Sequence, residues 1–161
     1  MYIPSKKIRV IDCVADTGID VSGWYDTEGE PASNPKYCYE WSYGDSERSI
    51  YVFNVWMEEL SITDELVSLS FNARKTAKHV TSAQPNKYKR AERQDEHLRK
   101  AFQRDAAVRI ILLDGDMAAI DKPQRVHVRE LDPAAWRVET YDRETGAAFL
   151  YRGHKPLAMA S

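Results

Sequence analysis

Glycine is scarce. There are seven in 161 residues, and none falls into a G-x-x-x-x-G-K or G-x-G-x-x-G arrangement. Chains that cradle nucleotide phosphates with backbone amides need such a loop, so that chemistry has no support. Cysteine is scarcer still: Cys13 and Cys38 stand alone, with no C-x-x-C spacing and no histidine pair beside them, which argues against a zinc site. Both read as buried reduced thiols, Cys13 on a helix and Cys38 on a strand. No apolar run approaches the roughly 18–20 residues of a membrane span. The first residues, Met1 to Lys7, lead into no signal-peptide apolar core, so a cytoplasmic location is expected. No G-x-S-x-G elbow exists. His79, His97, His127 and His154 are scattered, and His97 reads as a solvated residue on a charged helix, so no nucleophile–base triad can be assembled.

What is present is an ordinary balance, 30% charged and 43% hydrophobic. The length suits one domain, taken as residues 1–153 with a tail over 154–161. The net charge of −2 conceals an uneven distribution. Residues 74–104 hold ten Lys and Arg against three acids, a net of +7, while the remainder holds thirteen against twenty-two, a net of −9. Such a segment points to a local anionic partner.

Tyr37, Tyr39, Trp41 and Tyr43 recur with period two. On an extended strand they would share one face, either as a core row or as the wall of a site for a flat ligand such as a nucleobase. Asn34-Pro35 precedes them. Upstream, Ser5 is placed to cap a first helix with Ile8, Ile11, Val14 and Ala15 as its stripe, and Gly18 marks its end. Residues 19–36 read as a loop that carries Trp24 and Tyr25, large groups that need something to pack against or to bind.

Residues 37–43, 49–57 and 65–72 are expected as strands, with a hairpin turn over 44–48. The second is apolar on both faces and should be central, with Asn54 a polar exception that must find a partner. Residues 73–87 read as irregular and 87–104 as a helix, with Tyr88, Ala91, Leu98, Ala101 and Phe102 near one face. Residues 107–113 form a buried strand containing Arg109, and Asp114-Gly115-Asp116 a turn. Residues 125–131 alternate as a strand. Asp132 caps a single helical turn with Pro133 at its first position. Residues 137–141 and 147–151 make a last hairpin. The fold expected is α+β, with two main helices and a curved, mainly antiparallel or mixed sheet of seven strands that could curl into a partly closed barrel.

Three signals bear on function. Asp114, Asp116 and Asp121-Lys122 could hold a divalent ion for a small metal-dependent nuclease, although Asp-Gly-Asp after a strand is also a plain turn. Lys and Arg along a helix and its preceding loop can neutralise phosphates. Bases stack on Tyr and Trp faces, and asparagines supply donor–acceptor pairs to base edges. A protein-interaction domain whose aromatics are simply core is a third alternative.

The block Ser33-Asn34-Pro35-Lys36-Tyr37-Cys38-Tyr39-Glu40-Trp41-Ser42, with Gly18-Ile19-Asp20-Val21-Ser22-Gly23-Trp24 ahead of it, resembles the N-terminal DNA-reading domain of bacterial HNH-type modification-dependent restriction endonucleases. The likeness returns at Asn54-Val55-Trp56, at Val108-Arg109-Ile110-Ile111, and at Arg129-Glu130-Leu131-Asp132-Pro133-Ala134-Ala135-Trp136-Arg137-Val138 with Tyr141-Asp142 and Thr145-Gly146. It covers residues 6–153. It implies a module that reads double-stranded DNA, senses a modified base and directs a nuclease in cis or in trans; with no complete catalytic constellation in the sequence, the chain is expected to be non-enzymatic and to need no cofactor. The chain departs from the pattern in having no HNH segment. Base-pocket candidates are Trp24, Asn34, Tyr39, Trp41, Asn54 and Trp56. Phosphate-binding candidates are Arg74, Lys75, Lys78, Lys87, Lys89, Arg90 and Arg93.

Overall fold

Short apolar runs on both faces of a strand can be satisfied only if something covers each face. That is how the sheet is built. A computed structural model describes residues 1–64, 66–78, 85–116 and 125–153. Among these, eight strands form one mixed sheet and three α-helices pack on it. In chain order they are α1 (Val10–Asp16), β1 (Ser42–Asp45), β2 (Ile50–Trp56), β3 (Ser61–Ile62), β4 (Val67–Phe71), α2 (Ala73–Lys78), α3 (Pro85–Gln103), β5 (Val108–Asp116), β6 (Arg125–Leu131), β7 (Trp136–Tyr141) and β8 (Ala148–Arg152). The strand order is β1-β2-β5-β7-β8-β4-β3, with β6 also on β5. The sheet is mainly antiparallel and does not close into a barrel. β2 and β5 run parallel, which requires a long crossover, and α3 lies within it.

β2 and β5 are central. Tyr51, Phe53, Val55, Val108, Ile110 and Leu112 point into one core under Leu98 and Ala101 of α3. Val52, Trp56, Ile111 and Leu113 point into a second core under α1 and Trp24. Asn54 is only part-buried and finds its partner, donating from Nδ2 to the Glu40 carbonyl at 3.0 Å.

Local signals explain most helix ends. Asn72 Oδ1 accepts from the Lys75 amide as an N-cap for α2. Residues 73–78 are therefore helical and not irregular. Pro85 occupies the first position of α3, where its missing N–H is no loss. Gly18, at φ +96°, takes the left-handed conformation that stops α1. Ser5 does not cap α1. Its amide donates to Glu130, and the residues after it pair with β6 through Ile8 N to Arg129 O and Arg129 N to Lys6 O. Backbone committed to that ladder cannot be helical, so α1 starts at Val10.

The expected strand over 37–43 is the largest departure. Only Ser42 and Tyr43 lie in β1. Tyr37 and Cys38 donate their amides to Asn34 O, and Asn34 Oδ1 accepts from the Lys36 amide at 3.1 Å. These contacts wind 35–39 into turns, which removes the period-two row and places Cys38 off any strand. Asp114-Gly115-Asp116 is not a turn either. It continues β5 through a bulge and pairs with β6. At Gly115, with φ +143°, a Cβ would stand 2.2 Å from Arg125 O, so only glycine fits.

Asp132 starts no helical turn. The chain runs along β5 as β6, breaks at 132–135, and resumes as β7. Asp132 is fully buried and holds the break closed. It accepts from the Ala134 amide, from Trp136 Nε1 at 2.8 Å, and from Arg152 Nε and Nη2 at 2.8 and 2.9 Å. Burial opposes its ionisation, but Arg152, Trp136 and Ala134 outweigh that and hold its carboxyl below the usual range. The β7–β8 hairpin forms as the sequence indicates. The expected tail, His79, His154, Asp121-Lys122 and residues 79–84 of the stretch expected to be irregular lie outside the described residues, and its residues 85–87 belong to α3.

Candidate nucleic-acid interface

α2 and α3 pack side by side and carry most of the basic segment. Lys75 and Lys78 on α2 and Lys87 and Lys89 on α3 are exposed. Among the described residues none of these four makes an ion pair or a side-chain hydrogen bond. Arg90 of α3 rests over the Tyr39 ring at 5.5 Å, a cation–π contact, and Tyr39 is 60% exposed.

Two of the phosphate candidates are engaged inside the protein. Arg74 Nε donates to Asp95 at 2.9 Å, Nη2 donates to the Tyr141 hydroxyl, and Nη1 donates to the carbonyls of Arg143 and Glu144. Tyr141 in turn donates to Asp95 at 2.6 Å. This closed network ties α2, α3 and the β7–β8 hairpin together and commits Arg74 to structure. Arg93 pairs with Glu40. Of the seven candidates, Lys75, Lys78, Lys87 and Lys89 have no ionic partner among the described residues, and Arg90 lies on an exposed ring.

The base-pocket candidates differ in burial and in what their polar groups already bond. Trp24 is 3% exposed, stacked on Tyr37 at 5.3 Å and an interplanar angle of 13° and tilted against Tyr43. It is core, and a base could reach its face only by displacing Tyr37. Asn34 is buried; Nδ2 donates to Trp24 O and Oδ1 is taken by Lys36, so its edge is spent. Trp56 is buried in the same core. Trp41 is part-buried and Tyr39 is exposed. The shared strand face from which Tyr39 and Trp41 were drawn does not form, because the turns that begin at Asn34-Pro35 replace the strand over 37–41.

Two depressions flank α2. One, of about 330 Å³, lies between α2 and α3 and is lined by Arg74, Ala77, Lys78, Tyr88, Ala91, Glu92 and Asp95. The other, of about 500 Å³, is a wide open groove at the ends of β4, β7 and β8 with Lys75 on its rim.

His97 is not solvated. Its Nδ1 shares a 2.7 Å hydrogen bond with Ser42 Oγ, and its ring packs so closely on Gly44 that a Cβ there would come within 2.6 Å of Nε2. Burial pulls its pKa down to about 4, with Lys100 and Arg93 acting the same way against Glu96. Ser42 is itself buried, so the pair is a packing contact and offers no accessible nucleophile. Cys13 is buried on α1, and burial pushes its thiol up to about 11. Asp116 faces His127 at 3.5 Å, and Asp114 accepts from the Gly115 amide. Among the described residues no group of three His, Cys, Asp or Glu side chains could hold a metal ion. No helix among them is long and apolar enough to cross a membrane.

Neither the Ser42–His97 contact nor the Arg74–Asp95–Tyr141 network is legible in the sequence. Tyr88, expected on the core face of α3, is 49% exposed. Compared with protein-family models, with curated proteins and with solved structures, the chain matches none.

Proposed function

We propose that this chain is a non-enzymatic DNA-binding module whose α2–α3 face holds the phosphate backbone. The observation that supports it is the gathering of Lys75, Lys78, Lys87 and Lys89, none with an ionic partner among the described residues, on two adjacent helices of an acidic chain. Cations paired within the protein lend little to a phosphate, and among the described residues these four have no such pairing. Each phosphate neutralised releases condensed counterions, which makes binding salt-dependent. The likeness to modification-dependent endonucleases extends the reading to a modified base and to a nuclease half in cis or in trans.

Reversing Lys87, Lys89 and Arg90 to Glu tests the phosphate role. Fluorescence-anisotropy titrations of duplex DNA at several salt concentrations should show weaker binding for every sequence. The salt slope should become shallower by about 0.9 for each phosphate no longer neutralised. Unchanged binding in the triple variant overturns the proposal. In this reading the cutting chemistry is elsewhere, so plasmid DNA should stay intact with Mg²⁺ or Mn²⁺. Cleavage that disappears in Asp114→Ala and Asp116→Ala would replace it with a nuclease.

A further inference from the structure

The groove between α2 and α3 has a composition that packing alone does not require. On α3, Tyr88, Ala91, Glu92 and Asp95 follow the 3–4 spacing that puts them on one face, and on α2 Arg74, Ala77 and Lys78 do the same. The middle of each stripe is an alanine, so the helices leave about 330 Å³ open between them. Tyr88, the one aromatic among the described lining residues, is 49% exposed. At the inner end the Arg74–Asp95 pair is closed on itself and on Tyr141. Glu92 is exposed, and no described residue pairs with it. Lys78 stands at the rim.

We propose that this groove takes an unpaired nucleobase bearing an exocyclic amine, with the Tyr88 ring as its stacking platform, Glu92 as the acceptor for the amine and Lys78 on the adjoining phosphate. The inference rests on the phosphate-binding face described above and assigns the base site to it. Stacking on a tyrosine tolerates any base, so selectivity must come from the edge. An ionised carboxylate only accepts hydrogen bonds. It accepts from the N4 amine of cytosine, whereas thymine presents an O4 acceptor at the same position. In the larger groove beside β4 and β8 the acceptors Asn72 Oδ1 and Asp142 Oδ1 are already engaged by backbone amides, the first by that of Lys75 and the second by those of Glu144 and Thr145.

The test compares short labelled single strands of oligo-dC and oligo-dT, and duplexes carrying one unpaired cytosine or one unpaired thymine, by fluorescence anisotropy at fixed salt. The parent should favour the cytosine probes about fivefold or more. Tyr88→Ala should weaken both cytosine and thymine probes about tenfold, with its thermal midpoint near that of the parent, and Tyr88→Phe should restore binding because the ring suffices. Glu92→Gln removes a negative charge and should bind all probes at least as tightly, but without the preference for cytosine. Binding by Tyr88→Ala equal to the parent, or a cytosine preference that survives Glu92→Gln, overturns the groove assignment. If the Lys87, Lys89 and Arg90 reversal still abolishes binding in the same assay, the phosphate face stands without it. A parent that binds none of the probes, single-stranded or duplex, overturns both.

Discussion

Ser42 Oγ and His97 Nδ1 meet at 2.7 Å across 55 positions of sequence, and that contact seats the middle of α3 on β1. His97 must remain neutral to sit there, since a buried imidazolium would lose its hydration without gaining a carboxylate in hydrogen-bond reach. The ring therefore reports on the seating of α3 and on the basic face that α3 carries.

A pH dependence follows from this contact. The ordinary histidine pKa is 6.5 and the folded value about 4. Between these values the unfolded chain binds a proton that the folded chain does not. Stability therefore rises with pH through this window and is lost as pH falls from about 6.5 toward 4. The carboxylates held low, Asp132 and Glu130 among them, begin to lose their contribution only as pH falls below their ordinary values of 3.8 and 4.5. Urea titrations from pH 7 to pH 4.5 should show a fall on the order of 2–3 kcal/mol that is largely absent in His97→Gln. A parent whose stability is flat over that range would show that His97 is hydrated in the folded state.

Asp132 should be the most sensitive carboxylate. Asp132→Ala leaves the Arg152 guanidinium, whose side chain is 22% exposed, and the buried Trp136 indole N–H without acceptors. Removing one partner of a buried pair costs about 3–5 kcal/mol. The midpoint of chemical unfolding should fall accordingly, with little change in its slope. A variant within about 1 kcal/mol of the parent would mean that water replaces the carboxylate and that the break between β6 and β7 is held by backbone contacts alone.

Trp24 and Trp41 exchange the roles that their sequence contexts suggest. Trp24 lies in a polar loop yet is core; Trp41 lies in the aromatic row yet is only part-buried. Trp24→Ala should cost about 3–5 kcal/mol, and Trp41→Ala distinctly less. Paired thermal melts decide it. If Trp24→Ala melts near the parent, the stack on Tyr37 does not hold the 19–38 segment.

The elements that could be read directly from the chain are those whose pattern is local. The buried positions of α3 recur as Ala91, Gln94, Leu98 and Ala101, a spacing that only a helix satisfies. β2 and the start of β5 are apolar on both faces apart from Asn54 and Arg109, which suits strands covered on both sides. The last hairpin announces itself by Asp142 and by Gly146, whose φ is +80°. For the same reason the basic segment could be located without knowing any contact, because charge is a property of composition.

What resisted reading depends on partners far along the chain. The aromatic row at 37–43 has a strand's period, but Asn34 is anchored to the Trp24 carbonyl ten residues earlier, and that anchor converts the row into turns. Asp114 and Asp116 look like a turn until β6 supplies the pairing that draws them into β5. Whether a cation is free depends on the acid it meets. Arg74 is taken by Asp95 and Arg93 by Glu40, while Lys87 and Lys89, no different in sequence, are exposed and meet no acid among the described residues. Local pattern specifies which backbone hydrogen bonds a segment makes with itself. Only the packed sheet decides which side chains are then consumed by neighbours and which remain for a partner, because that depends on distances between segments brought together by burying their apolar faces.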